Sequence, residues 1–211
     1  MTFRVAIRAD ASDRIGGGHV GRCLALAQVL RGWGCEVRFI GRDRPGFPAD
    51  RVRRAGFDLR LVGDGEGDLT APVDLLVVDA YHLDRVWESV QRPRAAAIAV
   101  IDDLADRPHD GDWLIDAGRP DGSAYVGLTE APVLAGPRFA LLRREFEAAR
   151  RRQDDTDGVP EGDGRLVLFF GAADRSGLSA VALDALSLLG ADAPPADLVV
   201  TSANPRAEAL A

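Results

Sequence analysis

The stretch FRVAIRADASDRIGGGHVGRCLALAQVL, residues 3–30, decides how the chain folds. Its first five residues form a short apolar run, the signature of a buried strand. Val20, Cys23, Leu24, Ala27 and Leu30 then recur at i, i+3, i+4 and i+7, which predicts a helix starting near His19. Strand, loop and helix in that order open a parallel α/β sheet. The turn GGGHVG spells the dinucleotide fingerprint at Gly16, Gly18 and Gly21. That fingerprint needs its first glycine directly after the strand, and here residues 9–15 intervene. Arg42 and Asp43 close the second strand and would suit an NADP-dependent reductase, but the loop length ranks that reading last. The simpler expectation is a helix N-terminus whose free N–H groups face the crevice at the carboxyl edge of the sheet. The glycines then let an anion approach the backbone, and a histidine beside it can take a proton from water near neutral pH.

Working outward, apolar runs alternate with helical patterns. Strands are expected at EVRFIG, at FDLRLVG as an edge, at VDLLVVDAY, at AAIAVIDDLA and at WLIDAG. Helices are expected at ADRVRRAG and LDRVWESVQRP. The unbroken apolar runs call for a sheet covered on both faces, so residues 1–150 read as a complete Rossmann-like domain. FALLRREFEAARRRQ is a charged helix, read as a solvated face, and residues 151–164 have linker composition. From residue 165 to 211 the pattern restarts with strand RLVLFFG, helix LSAVALDALSLLG and strand DLVVTSA. Two strands do not close a sheet. The expected architecture is therefore a Rossmann-like domain followed by a truncated second one.

Composition narrows the function classes. The 211 residues carry a formal net charge of -7, which argues against a nucleic-acid groove. All 26 basic residues are arginine, which excludes a lysine nucleophile or Schiff base. No apolar run approaches the ~20 residues that span a bilayer, and the opening is charged, so a cytoplasmic protein away from the membrane is expected. Cys23 and Cys35 suggest neither a disulfide framework nor a zinc site, and Cys23 is expected as a buried thiol. No metal-ligand spacing is present, so no metal or cofactor is expected. Oligomeric state is not fixed by the sequence.

The opening matches R-x-D-x-S-x-x-I-G-x-G-H-x-x-R-x-L-x-L-A, and LLVVDAYHLD, VIDDLADRPHDGDWLIDAG, LAGPRFALLRREF and VLFFGAADRSG follow in order. Together these segments resemble the UDP-sugar hydrolases of pseudaminic acid biosynthesis, relatives of the two-domain GT-B glycosyltransferases. The resemblance implies release of UDP from UDP-2,4-diacetamido-2,4,6-trideoxy-β-L-altropyranose. By that likeness His19 is the general base on water, and Gly16, Gly17 and Gly18 lie beside the diphosphate. Arg8, Asp10 and Ser12 contact the sugar or brace the loop, Tyr81 lines the cleft, and Asp79 orients the site. In the second domain Gly171, Asp174, Ser202 and Asn204 fall near the nucleotide.

Two departures accompany the match: Ala172 replaces a second loop glycine, and Gly177 stands where asparagine is usual. A glycosyltransferase of the same fold, with a hydroxyl acceptor in place of water, remains open, as does a sugar-nucleotide-binding fragment without turnover. Of Asp102 and Asp103, one is expected to cap the following turn and the other to brace the loop. His82 reads as an exposed loop residue and His109 as structural, while Trp33, Trp87 and Trp113 read as core.

Overall fold

The computed structural model describes residues 2–63, 69–154 and 164–210. Two compact units divide it, Met1–Glu147 and Ala148–Ala211. The first holds a seven-stranded, wholly parallel sheet. Its strands are β1 (Arg4–Ala9), β2 (Glu36–Arg42), β3 (Asp58–Val62), β4 (Val73–Asp79), β5 (Ala95–Ile101), β6 (Trp113–Asp116) and β7 (Val133–Ala135). Their order is β3-β2-β1-β4-β5-β6-β7. The helices are α1 (Gly18–Gly32), α2 (Ala49–Arg54) and α3 (Arg85–Gln91). This is a Rossmann-like α/β domain. The chain leaves β1 toward β2 and leaves β4 toward β5, so the strand order reverses between β1 and β4. The carboxyl ends at that reversal are the usual ligand position in such sheets.

Side chains alternate across the sheet, and each face builds its own core. Val5, Ile7 and Ala9 of β1 join Val77 of β4 and Ile101 of β5 beneath Val20, Cys23, Leu24, Ala27 and Leu30 of α1. Ala6 of β1 joins Leu76 and Val78 of β4 and Ile98 and Val100 of β5 on the other face, with Trp87 of α3 against them. The same alternation puts Asp79, two residues beyond Val77, on the α1 side. Six of the expected strands are present, with β3 at the edge as read. Sequence reasoning missed β7, because three residues between Pro132 and Gly136 are too few to show a period. The tryptophans are corrected. Trp33, beyond the end of α1, is 77% exposed and Trp113 is 43% exposed, and of the three only Trp87 packs on a core.

In the second unit, α4 runs Arg144–Asp154 across the unit boundary. Strands β8 (Leu166–Leu168) and β9 (Ala196–Leu198) pair in parallel, with α5 (Leu178–Leu189) between them and a short α6 (Ala207–Leu210) after. Residues 155–163 of the expected linker lie outside the described residues. Among the described residues, no helix is long and apolar enough to cross a membrane.

Candidate active site

The loop of residues 10–17 turns on itself before α1 begins. Gly16 donates its N–H to the Ser12 carbonyl at 2.8 Å and bridges Ser12, with φ of +75°. The Ser12 hydroxyl oxygen accepts from the N–H groups of Arg14 and Ile15 at 3.2 and 3.3 Å. This closed turn explains why GGGHVG is not a dinucleotide turn: the glycines follow a small loop, not the strand. Gly17 occupies the N-cap of α1 with no side-chain cap, and no acidic residue stands in the first turn. A Cβ at Gly16 or Gly18 would meet nothing within 4 Å. The helix start is open and carries the positive end of the dipole.

His19, Arg22 and Cys23 lie one turn apart on the inner face of α1, directly over the end of β4. Asp79 ends that strand fully buried, and all three side chains reach it. His19 Nδ1 lies 2.5 Å from Asp79 Oδ1. Arg22 donates Nε to Oδ2 and Nη2 to Oδ1, both at 2.6 Å, and the Cys23 thiol donates to Oδ2 at 3.4 Å. Arg22 also donates Nη1 to Asp103 Oδ2 at 3.1 Å. Burial alone would raise the Asp79 carboxyl, but its hydrogen bonds and charge contacts with Arg22 and His19 hold it below the ordinary carboxylate range. Burial and the adjacent Asp79 charge push the Cys23 thiol well up, so it is no nucleophile.

An ionised Asp79 only accepts hydrogen bonds. The short contact therefore places a proton on His19 Nδ1, and Nε2 is the ring nitrogen left to gain or lose one. Tyr81 sets its ring edge-on to His19 with centroids 4.4 Å apart, fixing the imidazole from a second side. Burial first, and then the neighbouring Asp103 carboxylate, raise the Tyr81 phenol above its ordinary value, which keeps it protonated.

A second set of residues sits at the ends of β1 and β2. Arg8, buried in β1, grips both oxygens of Asp10. Asp10 also accepts the Arg42 N–H at 3.1 Å and lies 3.3 Å from His82 Nδ1. Arg8, Asp10 and Ser12 thus hold the loop ahead of α1, and Asp10 and Ser12 border a cavity of about 510 Å³ that Arg42, Arg44 and His82 also line. His82 is part of this brace as well as being partly exposed. Asp102 caps its turn through the Ala105 N–H at 2.8 Å, and Asp103 braces α1 through Arg22. His109 is buried against Glu88 at 2.7 Å, a structural contact.

The remaining sequence-derived residues belong to the second unit. Gly171 takes φ of +81° in the turn after β8. Asp174 accepts the N–H groups of Leu178 and Ser179 at 2.9 and 3.0 Å, so its carboxylate caps α5. The Thr201 hydroxyl donates to the Ala172 carbonyl at 2.7 Å, tying together the loops that follow β8 and β9. Asn204 is buried and holds the Arg206 N–H, while Ser202 is exposed. Among the described residues, no group of three or more His, Cys, Asp or Glu side chains could hold a metal ion.

No family model matches the chain. Over 168 residues it is 30% identical to the UDP-N-acetylglucosamine--N-acetylmuramyl-(pentapeptide) pyrophosphoryl-undecaprenol N-acetylglucosamine transferase of Nitrosococcus oceani. The match takes in 72% of this chain and 44% of the relative. The chain is thus similar to a glycosyltransferase. The Rossmann-like parallel sheet agrees with a GT-B-like relative. Arg22 is the member of this cluster that sequence reasoning left without a role. It stood in the shared opening pattern, three residues after His19, and that spacing was the available signal.

The Asp79 cluster has a consequence for stability. A carboxyl whose folded value is depressed contributes fully above its unfolded value, and that contribution is lost as pH falls through the folded value. The urea midpoint of the wild type should therefore exceed that of Asp79→Asn at neutral pH, and the gap should close below about pH 4. Equal gaps at pH 7 and pH 3 would show that the charge on Asp79 is not what binds the cluster.

Proposed function

We propose that this chain acts on a UDP-linked sugar, with His19 as the general base that activates water for attack on the anomeric carbon. The observation that carries the reading is the His19–Asp79 contact at 2.5 Å, which turns Nε2 into a proton acceptor at the sheet's switch point. In the proposed step, a water oxygen bonds to the anomeric carbon while the bond from that carbon to the UDP oxygen breaks. The electron pair leaves with UDP, and the water proton passes to His19 Nε2. UDP needs little acid assistance when backbone N–H groups hold its charge, and the uncapped start of α1 beside Gly16, Gly17 and Gly18 is suited to that.

Water as the acceptor, and a diacetamido-trideoxy sugar as the donor, rest on the resemblance to the pseudaminic acid pathway hydrolases. Gly171, Asp174, Ser202 and Asn204 are assigned to the nucleotide side on the same ground, Asp174 by shaping the loop. Residues 1–150 are read as the catalytic domain and 165–211 as part of a nucleotide-binding one. A second reading has an observation of its own. The relative named above is a transferase, and the same base serves an acceptor hydroxyl equally well. Incubation with the UDP-sugar, with UDP and free sugar quantified, tests both. Stoichiometric free sugar supports the hydrolase, and UDP release that rises with added hydroxyl acceptors supports the transferase. An absence of UDP release in both conditions would overturn the catalytic reading.

A further inference from the structure

Asp103, in the turn that follows β5, meets both of the groups that flank His19. Its Oδ2 accepts from Arg22 Nη1 at 3.1 Å, and the Tyr81 phenol hydrogen-bonds the same carboxylate. Arg22 reaches Asp79 with Nε and Nη2, so the bond to Asp103 engages its third guanidinium nitrogen and fixes the plane of the group. That plane matters. Arg22 Nη2 and His19 Nδ1 share Asp79 Oδ1, at 2.6 and 2.5 Å, and lie 3.4 Å from each other. A guanidinium free to pivot on Asp79 would compete with the imidazole for that oxygen. On the other flank the Tyr81 ring stands edge-on to His19, and its phenol is the end that Asp103 holds.

The turn that carries Asp103 is itself firmly set. Ala105 takes φ of +53°, a left-handed conformation costly for any residue with a Cβ. Asp102 Oδ2 accepts the Ala105 N–H, and Arg119 donates to the carbonyls of Asp103 and Leu104 at 2.8 and 3.0 Å. Arg107 lies 2.8 Å from Asp102 Oδ1 and donates to the carbonyls of Leu83 and Ala80 at 2.7 and 3.3 Å. It thereby ties this turn to the loop that carries Tyr81. Backbone strain held in this way clusters where a side chain must be aimed.

We propose that Asp103 is a positioning residue for catalysis: by holding Arg22 and the Tyr81 phenol together, it fixes the His19 imidazole in the orientation the reaction uses. The inference rests on the UDP-sugar reading and adds to it the group that keeps the base in place. Asp103 acts through these two neighbours and takes no proton itself. Its pair with Arg22 is partly exposed on both sides, so water screens it and it adds little to stability. Its effect is geometric. A base displaced by about 1 Å loses roughly 10²-fold in rate, far more than a screened surface pair contributes to folding.

The test uses the whole chain, with UDP-2,4-diacetamido-2,4,6-trideoxy-β-L-altropyranose as the donor. In Asp103→Ala, kcat should fall about 10–100-fold with KM within ~3-fold, the pattern of a misplaced base rather than a lost substrate contact. Asp103→Asn keeps one acceptor oxygen for two donors and should lose less. In a His19→Ala background, Asp103→Ala should cost less than ~2-fold, because no base is left to position. Two measurements need no turnover. The His19 Cε1–H NMR signal, identified by its loss in His19→Ala, should shift in Asp103→Ala as the Tyr81 ring loses its anchor. The Tyr81 phenol, identified by Tyr81→Phe, should ionise at lower pH there, since burial first and then the Asp103 charge hold it up. An unchanged kcat in a folded variant, a change in KM alone, or an equal loss in the His19→Ala background would each overturn the positioning role. So would an unmoved His19 signal or an unmoved phenol. Should Asp103→Ala not fold, Asp103→Asn carries the same comparisons. A wild-type chain that releases no UDP strikes the catalytic reading, and the His19 signal then decides alone whether Asp103 positions the imidazole.

Discussion

Replacing Asp79 by asparagine is expected to lower UDP release by about 10³–10⁴-fold, because the amide no longer dictates which imidazole nitrogen carries the proton. An asparagine oriented to satisfy Arg22 offers its oxygen to the guanidinium, and its NH₂ then faces His19. That NH₂ donates to Nδ1, places the proton on Nε2 and removes the base. The same substitution takes away a buried negative charge held by two guanidinium hydrogen bonds of 2.6 Å. Arg22 is then left with Asp103, which is partly exposed. Breaking a buried pair by removing one partner costs about 3–5 kcal/mol. Denaturant unfolding and the UDP assay should therefore both change. A variant with wild-type stability would show that the cluster does not hold α1 to β4. One with wild-type turnover would show that the tautomer of His19 is immaterial.

This double role explains why the site was only partly legible in the sequence. The apolar period of residues 20–30 and the unbroken runs at β4 and β5 placed α1 over a parallel sheet, because burial on both faces leaves that imprint. His19 stood out for a local reason, a histidine beside three glycines at a helix start, where capping the helix was an equally open use for it. Asp79 was legible only as an orienting group, since nothing in VVDAY says which partner it meets 60 residues away. Arg22 was hidden because, read along the helix, an arginine between apolar positions looks like a solvated one. Its function depends on a strand end that only the fold brings beneath it. Arg8 and Asp10 show the converse. Sugar contact and loop bracing were both open to them, and the fold displays the second, with Arg8 gripping both oxygens of Asp10. Asp174, likewise, is committed to the first turn of α5.

His19→Ala separates the chemistry from the scaffold. His19 is one of several groups on Asp79, and Arg22 and Cys23 still satisfy both carboxylate oxygens once the imidazole is gone. The helix start is unaffected, because its N-cap is Gly17 and His19 plays no capping part. The variant should therefore fold, keep an unfolding free energy within ~1 kcal/mol of the wild type in urea, and bind UDP as before. UDP release should fall by about 10²–10⁴-fold, the usual worth of a positioned base. Because water or a hydroxyl must lose a proton in either case, the loss should be equally deep for hydrolysis and for transfer to an added acceptor. Unchanged turnover in a folded variant would remove His19 from the mechanism. A loss confined to added acceptors, with hydrolysis intact, would show that His19 positions the acceptor rather than taking its proton.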